Sequence, residues 1–407
     1  MSQLRTIVGL DIGTTKISAI IAELEEGDEV PRLVGLGMVP SDGLRRGVVV
    51  DLEKTVRSIG KAISDAELMA GVNVDAVIAG ISGDHIRSIN SHGVIAVSRS
   101  DNEITPTDID RVIDAARAVA IPADREIVHV IPQDFVIDEQ TGIKVPVGMS
   151  GVRLEAEVHI VTAASTAVRN IYRAIGRCEM EVEAIVLESL ASSYALLTDE
   201  EQELGVAVID LGGGTTDIAV YYDGSIRHTS AIPLGGRSVT NDIAIGLRTP
   251  IEQAEEIKKG YGAAIPSMVD ANDMISVPGV GSRASREISR NVLASIIGPR
   301  MEEILSLAYR EVKKANFPET LAAGVVLTGG GALLPGTDVM AEQIFDMPVR
   351  IGLPTGFDGL TDMANSPIHA TGIGLIQYGV RHSDEVAKKS KTQGLFKKIE
   401  KWFNEHF

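Results

Sequence analysis

One pattern occurs twice in the chain and limits its fold more than any other feature. It consists of an apolar strand, an aspartate, a glycine-rich turn with two threonines, and a second strand. The first copy is Asp11-Ile-Gly-Thr-Thr-Lys16, and the second is Asp210-Leu-Gly-Gly-Gly-Thr-Thr-Asp217. Because all these parts recur together, we interpret them as two related halves, with a second turn that is two residues longer. Between the copies strand-like and helical segments alternate, which predicts an α/β fold.

The glycine-rich turns indicate phosphate binding. Such turns expose backbone N–H groups that can converge on phosphate oxygens, and threonine hydroxyls add further donors. A third glycine-rich segment, Thr328-Gly-Gly-Gly331, also follows an apolar strand. Three loops on two halves predict a cleft. The residues expected to line it are Gly13, Thr14, Thr15, Gly212, Gly213, Gly214, Thr215, Thr216, Gly329, Gly330 and Gly331.

Charged residues complete the predicted cleft. Asp11 and Asp210 end their strands beside the turns, where carboxylates can hold the water ligands of a Mg²⁺ ion that bridges phosphates. Lys16 adds a positive charge to the first turn. Two rival phosphate patterns do not fit. The chain has no G-x-x-x-x-G-K-[ST] motif, and Gly279-Val-Gly281 follows no clear strand, which makes it a weak dinucleotide match.

Composition excludes several other classes of protein. The formal net charge of −18 argues against nonspecific nucleic-acid binding by the body of the chain. The eight histidines lack metal-ligand spacing, and the single cysteine, Cys178, excludes an internal disulfide and a cysteine-based metal cluster. No segment has the pattern of a membrane span or an export signal. We therefore expect a cytoplasmic protein.

The C-terminal end differs from this acidic body. From Arg381 to Phe407 there are seven basic and four acidic residues. The last segment, 394–407, has the spacing of one apolar helix face, which predicts an amphipathic helix on anionic membrane lipid behind a polar tether at 381–393. Docking of this helix on the body is the alternative. The membrane-binding residues would be Leu395, Phe396, Ile399, Trp402 and Phe403, with Lys397, Lys398 and Lys401 at the flanks.

Together the three loops resemble those of the superfamily of actin, sugar kinase and heat-shock chaperone ATPases. Within it, the chain resembles the FtsA family of bacterial cell-division proteins over essentially its whole length. The most specific part of the resemblance is the inserted unit that ends in Pro146-Val-Gly-Met-Ser-Gly-Val-Arg153. The resemblance implies an actin-like fold of two ribonuclease-H-like halves with ATP and Mg²⁺ between them, an inserted α+β subdomain and a C-terminal amphipathic helix.

The same resemblance implies how the chain is divided. The expected parts are a first half (1–82, 162–204 and 363–380), the insertion (83–161), the core of the second half (205–240 and 306–362), its small subdomain (241–305), a linker (381–393) and the terminal helix (394–407).

The resemblance also assigns further site residues. Gly235 and Gly236 would belong to the nucleotide surroundings, Glu255 would hold the ribose, and Lys258 would line the adenine. Glu188 stands where relatives place a water-orienting carboxylate, so it is the candidate catalytic residue.

The implied function is a filament-forming adaptor at the division septum, peripheral on the cytoplasmic face of the inner membrane. It would bind ATP with slow hydrolysis, polymerise with itself, tether the tubulin-like ring protein FtsZ and recruit later division proteins. On the helix that we expect from Pro299 onward, solvent-exposed Arg300 and Glu303 would receive FtsZ. The alternatives are a soluble small-molecule kinase of the same superfamily and a MreB-like cell-shape filament. The amphipathic tail disfavours the kinase, and the insertion disfavours the MreB-like filament.

Overall fold

A computed structural model of the chain describes residues 4–98, 101–270, 272–281, 283–315 and 321–382. The strands are β1 (Arg5–Ile12), β2 (Lys16–Leu24), β3 (Arg32–Pro40), β4 (Leu44–Arg45), β5 (Val48–Val49), β6 (Ala76–Ile81), β7 (Arg87–Ala96), β8 (Arg125–Ile137), β9 (Gln140–Ile143), β10 (Arg153–Ala164), β11 (Glu181–Leu187), β12 (Val206–Leu211), β13 (Thr216–Tyr222), β14 (Ser225–Ile232), β15 (Met274–Val277), β16 (Arg286–Ser289), β17 (Gly324–Thr328), β18 (Val349–Ile351) and β19 (Asp358–Gly359). The α-helices are α1 (Leu52–Ala70), α2 (Pro106–Arg117), α3 (Ser165–Gly176), α4 (Glu188–Leu196), α5 (Asp199–Leu204), α6 (Gly236–Leu247), α7 (Ile251–Tyr261), α8 (Arg290–Lys313), α9 (Thr337–Phe345), α10 (Thr361–Ala364) and α11 (Ala370–Arg381).

The two halves share one sheet topology. In the first sheet the order β3-β2-β1-β6-β11 carries β19 at its edge, and in the second sheet the order is β14-β13-β12-β17-β18. In both, the first three strands form an antiparallel meander, and the last two run parallel to the strand that carries the aspartate. The expected α/β class and duplication are confirmed.

Local signals explain why α1 begins and ends where it does. The Asp51 carboxylate accepts a hydrogen bond from the backbone N–H of Lys54 at 3.1 Å, which caps the N-terminus. Gly71 ends the helix in the left-handed conformation at φ 72°. The apolar side chains of Ile59 and Ile63 are buried against the first sheet. An aspartate cap and a left-handed glycine therefore define the two ends of α1.

Two helices lie between the sheets. Helix α11 packs on β1, β2 and β6 of the first sheet, whereas α4 contacts both α11 and the strands β12 and β13 of the second. The helices cross so closely that a Cβ on Gly374 would lie 1.8 Å from the carbonyl oxygen of Ala191. Only glycine permits this crossing. The two sheets are thus joined through a tightly packed helical layer.

The inserted segment forms its own antiparallel sheet, in the order β7-β10-β8-β9, covered by α2. It also contacts the second half through polar groups. Ser88 donates to the carbonyl of Thr229 at 2.8 Å, and Arg227 pairs with Asp134 at 2.6 Å. The insertion, which interrupts the chain of the first half, therefore contacts the second half along β14.

The second half differs from the sequence reading in two places. Contrary to expectation, a strand, β15, precedes Gly279. The chain then returns as β16 in a hairpin and does not enter a helix. The dinucleotide motif requires a strand, a turn and a helix in succession, so the match still fails. Helix α8 begins at Arg290, capped by Ser289, and not at Pro299, which lies inside it. Two of the expected subdomain boundaries fall inside α6 and α8, so that division stays a prediction.

Across the described ranges, no helix is both long and apolar enough to cross a membrane. The expected linker and the amphipathic segment 394–407, with its membrane-binding residues, lie outside the described residues.

Candidate functional site

The two aspartate hairpins have the same register, which overturns the predicted difference in turn length. Asp11 pairs with Ser18 and Ile12 with Ile17, while Asp210 pairs with Asp217 and Leu211 with Thr216. The first turn (13–16) and the second turn (212–215) are therefore equally long. The sequence reading aligned the threonine pairs with each other, but Thr14 and Thr15 occupy the positions of Gly213 and Gly214. Asp217 takes the place of Ser18.

The two turns pack directly on each other. A Cβ on Gly213 would lie 2.2 Å from the hydroxyl oxygen of Thr15, and a Cβ on Gly214 would lie 2.3 Å from that of Thr14. No side chain fits at these distances, so the glycines of one turn accommodate the threonines of the other. This fit explains why one turn is rich in glycine and the other in threonine.

A third loop, the glycine loop (329–331), lies against the end of β12, just before the second turn. It follows β17, whose residue Thr328 is in register with Asp210. Gly329 has a φ of 78°, and a Cβ there would lie 2.3 Å from the carboxylate oxygen Oδ1 of Asp210. The close approach and the left-handed backbone both require glycine at this position.

Residues of α6 and α7 close another side of the site. The backbone N–H of Gly236 donates to the carbonyl of Gly212 at 2.9 Å. The Lys258 ammonium donates to the carbonyl of Gly236 at 3.1 Å and pairs with Glu255 at 2.7 Å. Burial lowers the pKa of Lys258, against the opposing attraction of Glu255. Burial would raise the pKa of Glu255, but Lys258 and the Thr240 hydroxyl hold it below its ordinary value.

These elements surround a cavity of about 560 Å³ between the halves, called the cleft below. The structure brings most of the predicted cleft residues to its wall: Asp11, Gly13, Thr14, Thr15, Lys16, Glu188, Asp210, Gly212, Gly213, Gly214, Thr215, Gly236, Glu255, Lys258, Gly329, Gly330 and Gly331. Two predicted residues are not in that wall. Thr216 is fully buried and donates its hydroxyl to the carbonyl of Leu234 at 2.9 Å, while Gly235 packs against the carbonyl of Gly212.

Sequence reasoning missed other residues of the wall, among them Asp217, Arg237, Ile368 and Thr371. Asp217 ends the second copy of the duplicated pattern, and the sequence alone predicted no role for it. Its alternation with Thr216 on β13 was the available signal, because neighbouring residues of a strand face opposite sides of the sheet. Arg237 and Thr371 come from helices whose position follows only from the packing of distant elements.

In one part of the cleft the carboxylates of Asp11, Asp210, Asp217 and Glu188 are grouped around Lys16. Lys16 pairs with Asp11, and Asp210 accepts hydrogen bonds from Ser192 at 2.9 Å and Thr371 at 3.1 Å. Burial raises the pKa of Asp210, and burial together with the charge of Asp210 raises the pKa of Asp217 to about 7, against the opposing hydrogen bond from Ser82. Such an excess of buried negative charge is favourable for a cation.

Glu188 belongs to the same group of carboxylates. It begins α4, and its side chain packs over β6, where a Cβ on Gly80 would lie 3.0 Å from the Cγ atom of Glu188. Burial, followed by the charges of Asp11, Asp217 and Asp210, raises the pKa of Glu188 well above its ordinary value.

The donor set fits a hard divalent cation, because carboxylate oxygens are the ligands that Mg²⁺ prefers. Among the described residues, however, no three His, Cys, Asp or Glu side chains converge closely enough to hold an ion directly. The carboxylates would therefore act through water, as Mg²⁺ sites commonly do.

The predicted partner residues lie on α8, away from the cleft wall. Arg300 is not simply available to solvent, because its guanidinium makes two hydrogen bonds to Asp242 of α6, at 2.6 and 3.2 Å, and another to Glu303. Its side chain is 28% exposed, whereas that of Glu303 is 50% exposed. Arg300 is thus only partly exposed, and its partner Asp242 was not foreseen because it lies on a different helix and is distant in sequence.

Comparison with known proteins agrees with this architecture. The profile of the family described as "Cell division protein FtsA" matches residues 207–374, and that of the "SHS2 domain inserted in FTSA" matches residues 83–162. Among solved structures, the "PilM-PilN type IV pilus biogenesis complex" has a TM-score of 0.67 at 17% identity, covering 92% of this chain and 98% of the other. MreB5 of Spiroplasma citri bound to ADP has a TM-score of 0.55 at 16% identity, covering 94% and 98%. These structures confirm the actin-like fold.

Curated relatives cover almost the whole chain. The "Cell division protein FtsA" of Pseudomonas aeruginosa is 49% identical over 94% of this chain and 91% of its own length. The protein of the same description from Neisseria meningitidis is 46% identical over 100% and 99%, and that from Escherichia coli is 40% identical over 99% and 98%. On this evidence of sequence and fold, the chain belongs to the FtsA family of cell-division proteins.

Proposed function

We propose that the chain binds ATP with Mg²⁺ in the cleft and acts as a nucleotide-dependent adaptor of cell division. The observation that carries this proposal is the convergence of the first turn, the second turn and the glycine loop on one cavity between two duplicated halves. The phosphates would lie against the two turns, and the sugar and base would lie toward Gly330, Glu255 and Lys258. A bound Mg²⁺ would neutralise phosphate charge, with Asp11 and Asp210 holding its water ligands.

The contact between the turns suggests how ATP would act. Thr14 and Thr15 of the first half touch Gly214 and Gly213 of the second half. A γ-phosphate held by both turns would change the angle between the halves, and one angle would favour the filament. ATP would then regulate assembly rather than drive chemistry.

Slow hydrolysis is consistent with the surroundings of Glu188. We propose that Glu188 orients the attacking water. The raised pKa of this carboxyl disfavours its ionised form, which is the form that can accept a proton from water. Hydrolysis would therefore be slow unless a bound cation lowers that pKa.

The membrane and partner roles are part of the same proposal. The segment 394–407 would bind anionic lipid on the cytoplasmic face of the inner membrane, and the surface around Arg300 and Glu303 would receive FtsZ. Filaments on the membrane would then tether the FtsZ ring and recruit later division proteins. Membership in a cell-division family favours this adaptor over the small-molecule kinase.

The deciding experiment is electron microscopy of the full chain on anionic lipid monolayers. With ATP and Mg²⁺ we expect filaments, and with EDTA or without nucleotide we expect few. Filaments of equal number and length under all conditions would contradict nucleotide control. Their complete absence on lipid would contradict the adaptor itself.

A further inference from the structure

A second cavity of about 520 Å³ adjoins the cleft. Among the described residues, the linings of the two cavities have only Thr14, Gly213, Gly214 and Arg237 in common. The contact between the first and second turns therefore separates them. The proposed nucleotide site makes no use of the second cavity, which we call the arginine cavity.

The lining of the arginine cavity is positively charged, although the whole chain carries a net charge of −18. It contains four cationic side chains and two carboxylates: Arg45, Arg46, Lys54, Arg237, Asp42 and Asp51. Both carboxylates are engaged, since Asp42 pairs with Lys54 at 3.0 Å and Asp51 caps α1. Within the part of the chain that the structure describes, no carboxylate lies within ion-pair distance of the three arginines.

The backbone at Arg46 also indicates a role for its side chain. Arg46 and Gly47 form the two-residue turn between β4 and β5, with φ values of 51° and 77°. Hairpin turns with two positive φ values favour Asn, Asp or Gly at the first position. An arginine there holds a left-handed backbone conformation that is strained for a residue with a Cβ. The turn itself therefore does not account for this residue.

Both arginine-bearing segments are hydrogen-bonded to the turns of the cleft. The backbone N–H of Gly47 donates to the hydroxyl oxygen of Thr14 at 2.9 Å, and that of Arg237 donates to the carbonyl of Gly213 at 2.8 Å. Arg237 is in the first turn of α6, so the positive end of that helix adds to the potential in the cavity. An anion held here would restrain both turns.

We propose that the arginine cavity binds one phosphate-sized oxyanion, inorganic phosphate, between Arg45, Arg46 and Arg237. Guanidinium groups bind phosphate oxygens through paired N–H donors, and three of them without carboxylate partners suit a small dianion. The site goes beyond the proposed nucleotide function and does not depend on it. Because Gly47 is hydrogen-bonded to Thr14, phosphate bound in the arginine cavity would affect the position of the first turn.

The test is equilibrium dialysis of the nucleotide-free full chain against radiolabelled phosphate, with ionic strength held constant by chloride. The variant is Arg45→Ala combined with Arg46→Gly, because glycine suits the backbone at position 46 and protects the fold. The charge-matched control is Arg57→Ala combined with Arg117→Ala, two exposed arginines outside both cavities. Lys16→Ala, which removes the lysine of the first turn from the cleft wall, reports phosphate that binds in the cleft instead.

We expect saturable binding of one phosphate per chain, weakened at least tenfold in Arg45→Ala/Arg46→Gly and unchanged in the other two variants. Equal weakening in both arginine pairs would show a diffuse charge effect and overturn the proposal. Loss of binding in Lys16→Ala alone would assign the phosphate to the cleft and overturn the proposal as well. No saturable binding to the parent chain would equally reject phosphate as the ligand.

Discussion

Gly213 of the second half lies directly against Thr15 of the first half, so closely that a Cβ on Gly213 would be 2.2 Å from the threonine hydroxyl oxygen. The two turns proposed to hold ATP phosphates are therefore in contact with each other. A change at either residue affects the distance between the halves as well as the site. A second substitution at Thr15 can relieve the steric clash of a larger residue at Gly213, so that the clash can be distinguished from a loss of nucleotide binding.

The first prediction concerns this contact. Gly213→Ala places a methyl group within 3 Å of three atoms of Thr15, so we expect overpacking that destabilises the fold by about 1–3 kcal/mol. Thr15→Gly removes those three atoms. The midpoint of thermal unfolding should fall in Gly213→Ala and recover in the Thr15→Gly/Gly213→Ala double variant. Equal midpoints for the single and double variants would show that the turns do not press on each other in solution.

The second prediction concerns ATP and Mg²⁺. Asp210→Ala removes a carboxylate proposed to hold the water ligands of the ion, and Gly213→Val puts a larger side chain against Thr15, which forces apart the two turns proposed to hold the phosphates. Calorimetry should show at least tenfold weaker ATP binding in each, or about 1.4 kcal/mol. Ser192→Ala removes one hydrogen bond to Asp210 and keeps the carboxylate, so its effect should be smaller. Unchanged affinity in both Asp210→Ala and Gly213→Val would place the nucleotide elsewhere.

The third prediction is a pH dependence from Asp217, whose pKa is raised to about 7 from an ordinary value of 3.8. The folded chain then binds this proton more tightly than the unfolded chain does. The contribution of Asp217 to the free energy of unfolding is therefore fully present below pH 3.8 and is lost as the pH rises through 7. Asp217→Asn cannot ionise, so its stability should fall less between pH 5 and 8.

Urea unfolding at several pH values measures this difference for the nucleotide-free chain. Asp346→Asn is the matched control, because Asp346 is exposed and its left-handed backbone accepts asparagine. Its pH profile should follow that of the parent chain. If Asp217→Asn also follows the parent profile, the raised pKa of Asp217 is wrong.

Much of the site followed from the sequence because its signals are local. Strand, aspartate and glycine-rich turn are adjacent in the chain, so the three loops and the duplicated halves were predicted correctly. The alignment of Thr14 with Thr215 was wrong because the residue types in a turn do not determine the hairpin register, which depends on strand pairing. Arg300 and Asp242 are 58 positions apart in the chain and lie on different helices, so no local pattern indicates their ion pair.

The fourth prediction uses that ion pair. Arg300→Glu should weaken recruitment of FtsZ to lipid vesicles that carry the full chain, if this surface receives FtsZ. The substitution also places a glutamate beside Asp242, which destabilises the helix contact by itself. Combining Arg300→Glu with Asp242→Arg restores an ion pair of opposite polarity and serves as the control for folding.

Recruitment is measured by cosedimentation of FtsZ with the vesicles. A double variant that folds but still fails to recruit FtsZ would support recognition of Arg300 itself. Restored recruitment would show that the single variant acted through the fold, and normal recruitment by Arg300→Glu would show that the site is elsewhere.

The last prediction concerns the terminal segment 394–407. Trp402 is the only tryptophan in the chain, so its emission reports this segment directly. Burying five large apolar side chains at about 1.5–3 kcal/mol each favours the membrane, although ordering a short helix offsets much of that gain. Nearby lysines add about 1 kcal/mol each on anionic lipid. Binding of one copy should therefore be modest, and a filament that presents many copies should bind strongly.

Anionic vesicles should shift the Trp402 emission to the blue, and neutral vesicles should shift it less. Trp402→Glu should remain in the soluble fraction when vesicles are floated, whereas Lys391→Ala, in the predicted tether, should float like the parent chain. A blue-shifted emission without any lipid would favour docking of the helix on the body. An unshifted spectrum at saturating lipid, or a Trp402→Glu variant that still floats, would rule out membrane attachment through this segment, because a glutamate in the middle of the apolar face cannot be buried among acyl chains without a large cost.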